Sequence, residues 1–174
     1  MKTQEAERDG FVSPDPDQRT AILIVAGEDS VPERTFEAIR THFGEYYDQI
    51  VFLTIGLVDY EIIDDADFKG SDLGDRVRRT ARGAVSKCLE RAREQGVEAI
   101  TCVAIGTNPV DEVEKLCADF AARCPKAMFF LGKVVFQNRR WYHGFLHSRT
   151  ADAIQKRLEQ RGLPVAILPV VVPG

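Results

Sequence analysis

The chain has 174 residues, 44% of them hydrophobic, and a formal net charge of −4. That suits one ordinary domain with a real core and is too little for two comfortable ones. The negative balance argues against a nucleic-acid binder relying on bulk positive charge, and no stretch approaches the roughly 20 apolar residues of a membrane span.

Residues 1–18 carry Pro14, Pro16 and five acids against two bases, and read as a disordered tail or linker before a single domain over 19–174. The start lacks the basic-then-apolar pattern of a signal peptide, so the expected compartment is the cytoplasm. Ala21 to Ala26 is an apolar run ending at Gly27, the pattern of a buried parallel strand. Ser30-Val31-Pro32-Glu33 is a capping box that opens a helix through about Phe43. Ile50 to Ile55 is a second strand. Val77, Ala81, Ala84, Cys88, Leu89 and Ala92 have helical spacing, and Gly96 ends that helix. Ala99 to Ile105 is a third strand. Asn108-Pro109 caps a helix with Val110, Val113, Cys117, Phe120 and Cys124 on one face. Ala127 to Leu131 is a fourth strand closed by Gly132, about Ser148 to Gln160 a helix capped by Ser148, and Val165 to Val171 a fifth strand. Five strands alternating with four helices imply a doubly wound α/β sandwich, a parallel sheet with helices on both faces.

Two connections exceed ordinary strand–helix loops: Leu57 to Ser71 and Lys133 to Leu146. Between Leu57 and Asp75 stand seven acids (Asp59, Glu61, Asp64, Asp65, Asp67, Asp72, Asp75) and one base, Lys69. Between Phe120 and Ala151 stand six bases (Arg123, Lys126, Lys133, Arg139, Arg140, Arg149) and no acid. Both loops leave the carboxyl edge of the sheet, where open α/β folds bind ligands. Lys133, Arg139, Arg140 and the Ser148 hydroxyl read as an anion site at a helix N-terminus. The other readings are that the acidic loop folds against the basic one, or that both are solvated faces. Trp141, Tyr142 and Phe145 read as a loop packed on the sheet or as a contact surface.

Metal and catalytic signals are weak. Cys88, Cys102, Cys117 and Cys124 form no CxxC pair; Cys117 and Cys124 lie about 10 Å apart along one helix, too far for a disulfide. They read as four small buried hydrophobes. His143 and His147 have metal-ligand spacing without a third ligand nearby, and no GxSxG, GxGxxG or P-loop is present.

The Gly132 to Ser148 segment resembles the ATP loop of the universal stress protein family, G-x2-G-x9-G-[ST]. Gly132 matches the first glycine and Ser148 the final Ser/Thr. The middle glycine is missing, the spacing is two residues longer, and His147 stands where the third glycine belongs. Ala26 takes the place of the family's Asp at the end of strand one, before Gly27. The resemblance implies a universal stress protein-like, adenine nucleotide hydrolase-like sheet in the order 3-2-1-4-5, dimers formed through strand five, and ATP or AMP as candidate ligands of a degenerate site.

Nearly the whole chain from Arg19 to Val172 is also similar to the soluble C-terminal domain of bacterial permeases of the amino acid–polyamine–organocation family. The matching stretches are Phe52 to Asp59, Phe68-Lys69-Gly70, Ala104 to Thr107, Phe129 to Gln137, Arg140-Trp141-Tyr142, and Leu146-His147-Ser148 with Thr150-Ala151. This resemblance implies a non-enzymatic cytoplasmic regulatory domain linked to amino-acid transport, a membrane transporter as partner, and no direct membrane insertion. The expected ligand groups are Gly27, Gly132, Lys133, Arg139, Arg140, His147 and Ser148, with no catalytic or metal residues. The alternatives are a dimerisation scaffold without ligand and an ATP/AMP-binding stress protein. Strand five, apolar with Pro169 inside it, fits an exposed sheet edge and predicts a homodimer through 165–172.

Overall fold

The computed structural model describes residues 14–25, 31–57, 72–136 and 145–172. In chain order the elements are β1 (Thr20–Val25), α1 (Val31–Phe43), β2 (Gln49–Leu57), α2 (Asp72–Glu94), β3 (Glu98–Gly106), α3 (Pro109–Arg123), β4 (Ala127–Phe136), α4 (Phe145–Gln160) and β5 (Val165–Val172). The strands form one parallel sheet in the order β3-β2-β1-β4-β5, as the resemblance implied. β1 is buried along its whole length because both neighbours pair with it and helices cover both faces.

Alternation along the strands divides the core in two. On one face Ile22, Ile24, Val51, Leu53, Phe129 and Leu131 meet Val113, Cys117 and Phe120 of α3 and Ile154 and Leu158 of α4. On the other, Leu23, Val25, Ile50, Phe52 and Phe130 meet Phe36 and Ile39 of α1 and Val85, Cys88 and Ala92 of α2. All four cysteines are buried. Asn108 caps α3 as expected, its side chain accepting from the backbone N–H of Val110 at 3.0 Å. Gly96 follows α2 with φ +66°, the left-handed turn that lets the chain leave the helix for β3.

Three boundaries differ from the sequence reading. Gly132 does not close β4: the strand runs on to Phe136, because β5 supplies a ladder partner as far as Phe136↔Val172 after β1 has ended. The β-branched pair Val134-Val135 favours that extension. α4 begins at Phe145, so Ser148 lies within its first turns rather than at the cap, whose backbone is not yet helical.

The third difference is at the start. Residues 14–18, read as tail, fold against the amino end of the sheet. The Gln49 amide is fully buried; it accepts from Asp15 N–H at 3.2 Å and donates to Asp15 C=O at 2.8 Å and Thr20 Oγ1 at 2.7 Å. Lys126 Nζ donates to Asp17 C=O at 2.7 Å. Beside them Arg19 makes a bidentate pair with Asp48 (3.0 and 2.7 Å), which holds the Asp48 carboxyl down at about 2.

Candidate functional site

At the carboxyl edge the described pairings of β1 reach Val25↔Thr54 and Ile24↔Leu131. β2 and β3 are paired to Leu57↔Gly106. On the other side the last β1 partner is Leu131, and β4 and β5 stay paired to Phe136↔Val172. Chain direction also reverses here: β2 and β3 follow on one side of β1, β4 and β5 on the other. Such a switch point forms a crevice at the strand ends.

The first turn of α1 forms one wall. It crosses β4 at Gly132 so closely that a Cβ there would overlap Thr35 Oγ1 and stand 2.9 Å from Val31 Cγ1. Thr35 is buried and its hydroxyl donates to Val31 C=O at 2.7 Å, which fixes that wall. Gly132 is therefore a glycine because a helix lies on it. Gly56 at the end of β2 yields in the same way to Val77 of α2, and Gly106 at the end of β3 to the Glu112 side chain of α3.

Opposite α1, Lys133 points towards α4 and its Nζ lies 3.0 Å from Asp152 Oδ1. One expected anion group is thus held by a carboxylate. The β4 backbone offers something else. Phe129 N–H donates to Pro164 C=O, so Phe129 turns both backbone groups to β5, and in a parallel ladder alternate residues follow it. Val134 by the same alternation turns its N–H and C=O towards β1, beyond the last β1 partner among the described residues.

Of the remaining expected site residues, Gly27, Arg139 and Arg140 lie outside the described residues. So do the side chains of His147 and Ser148, whose backbones belong to the start of α4, a first turn without an acidic residue. Gly132 lies under α1, and Lys133 pairs with Asp152 across an exposed surface. The bases and the glycine were legible in the sequence; the neighbours that occupy them, Thr35 and Asp152, were not. Among the described residues no group of three His, Cys, Asp or Glu could hold a metal, and no helix is long and apolar enough to cross a membrane.

No family model and no curated protein matches the chain. Among solved structures, a protein of the universal stress protein family from Burkholderia pseudomallei is similar, with a TM-score of 0.58 and 14% identity over 90% of this chain and 99% of that one. The shared sheet order, helices on both faces and near-complete coverage give the chain the universal stress protein-like fold.

Proposed function

We propose that the chain is a non-enzymatic regulatory and interaction domain that acts as a homodimer joined through β5, with a role in amino-acid transport at the inner face of a membrane. The observation that carries this reading is β5 itself. It stands at the edge of the sheet, contains no charged residue, and exposes Val171 by 43%. Natural edge strands are normally guarded by charge or cover, and an apolar edge strand with no charge of its own is suited to pairing. The transport link rests on the permease resemblance of the Phe52 to Asp59 and Phe129 to Gln137 stretches. Light scattering at micromolar concentration tests the dimer: a mass of twice the chain is expected, and a monomer would sink the reading.

The crevice favours a second reading, an ATP- or AMP-binding stress protein with a degenerate loop. Its support is the switch point between β1 and β4 and the Val134 backbone turned to the β1 side. Thermal shift with ATP, AMP and cyclic dinucleotides separates the two. A ligand at 100 times its dissociation constant stabilises by about 2.7 kcal/mol, a rise of several degrees for a domain this size. If a shift is seen, charge reversal at Arg139 and Arg140 should abolish it. A shift retained in that double variant places the ligand elsewhere.

A further inference from the structure

β3 is the other edge of the sheet, and its open backbone groups follow from the pairing at the centre. Thr20 N–H donates to Lys126 C=O, so Thr20 faces β4 and Ala21 faces β2. Gln49 N–H reaches back to Arg19 C=O, so Gln49 faces β1 and Ile50 faces β3. Carried across the register, this turns Glu98, Ile100, Cys102, Ala104 and Gly106 towards β2. The N–H and C=O of Ala99, Thr101, Val103 and Ile105 are left on the outer edge. No proline interrupts that row, and after Glu98 the strand carries no charge. Within the row the Thr101 hydroxyl is buried without a hydrogen-bond partner.

The helix above this edge is basic. α2 lies over β2 and β3, and α1 over β1, β4 and β5. Lys87 and Arg91 of α2 reach Glu33 and Glu37 of α1, which marks the inner flank of α2. At about 100° per residue, Arg78, Arg82 and Arg93 fall on the opposite flank, above the outer edge of β3. Arg78 pairs with Asp75 at 3.4 Å. Arg82 and Arg93 are exposed and have no ion pair or hydrogen bond among the described residues. Between Asp75 and Glu90 the helix has five bases (Arg76, Arg78, Arg79, Arg82, Lys87) and no acid. At the end of the strand, the Glu112 side chain of α3 lies against Gly106.

We propose that β3 takes up an extended acidic segment of another protein as a sixth strand, with the carboxylates of that segment on the α2 face. The open N–H and C=O groups from Ala99 to Ile105 supply the ladder, and Arg82 and Arg93 select the charge. A carboxylate placed opposite Thr101 accepts from its unpartnered hydroxyl. Glu112 on the α3 side disfavours acids on the other face, so the fitting segment alternates acidic with apolar residues. A second copy of this chain fits poorly. A twofold β3–β3 ladder is antiparallel with its axis normal to the sheet, which sets α2 beside α2 and brings like charges together. β3 and β5 are opposite edges, so this surface stays open whether or not β5 pairs.

Fluorescence anisotropy with the full chain and a short labelled peptide of alternating Glu and Val tests this. Three companion peptides separate charge from ladder: one with Lys for Glu, one N-methylated at the Glu amides, and one N-methylated at the Val amides. The Glu–Val peptide should bind, and the Lys–Val peptide should bind at least about tenfold more weakly. At least one methylated peptide should lose about tenfold or more, because a strand adds through the amides of one edge. Arg82→Glu combined with Arg93→Glu should reverse the preference between the Glu and Lys peptides; both side chains are exposed, so the variant keeps its fold. Full binding by both methylated peptides means a charge contact without a ladder and overturns strand addition. An unchanged preference in the double variant overturns the role of the arginines. No binding at millimolar peptide overturns the whole proposal. Affinity for the peptide that falls as protein concentration rises makes a second copy the occupant of β3 and overturns the foreign partner.

Discussion

Gly132 shows how one residue type serves two incompatible purposes. In sequence it matches a phosphate-binding glycine; in the fold its missing side chain makes room for Thr35 and Val31. Gly132→Ala should therefore destabilise the protein by about 1–3 kcal/mol, the usual cost of overpacking a tight contact. Thr35→Ala in the same chain should return most of that loss, read from urea midpoints. A phosphate-binding role alone predicts no such rescue. The cysteines behave as the sequence suggested, small apolar residues at helix–sheet contacts. Burial pushes the Cys88 thiol up to about 12 and raises Cys117 and Cys124 as well. A water-soluble thiol reagent at pH 8 should leave the native protein unlabelled and modify all four cysteines in urea. That glycine and those thiols were visible as letters, but a letter does not say which helix comes to rest on it.

At the scale of elements, hydrophobic periodicity located each strand and helix, while the ends were set by partners far along the chain. β4 continues past Gly132 because β5 pairs with it, a fact carried by residues more than thirty positions away. The 14–18 segment is ordered by the Gln49 amide, whose partners are Asp15 and Thr20. Gln49→Leu takes the acceptor from Asp15 N–H and one donor each from Asp15 C=O and Thr20 Oγ1, and should cost about 1–3 kcal/mol, with earlier proteolysis near Asp15. The neighbouring Arg19–Asp48 pair adds an acid dependence. The folded Asp48 carboxyl is depressed to about 2 below its ordinary value near 4, mainly by the Arg19 hydrogen bonds. Its contribution is complete above pH 4 or so and disappears as pH falls towards 2. Asp48→Asn should therefore be less stable than wild type at pH 6, and the gap should close through that window, as urea titrations at several pH values would show. Both side chains are partly exposed, so the effect is small and screened by salt.

For the whole molecule, two features matter: the switch point beside β1, and the uncharged β5 edge. If two copies fold as a pair, the melting temperature should rise with protein concentration over a roughly hundredfold range, and a concentration-independent value would mean a monomeric folding unit. The switch point and the edge share an element. α1 walls the crevice with Val31 and Thr35 and reaches the edge with Arg34. Apolar runs spaced by amphipathic helices determined, by themselves, that this chain makes a parallel sheet between two helical layers, because burying alternate faces leaves few other solutions. What they could not determine is which groups remain free once the layers close. The Lys133 ammonium is taken by Asp152, the Gly132 surface by Thr35 and the Val171 carbonyl by Arg34, and each of those pairings joins elements that only packing brings together.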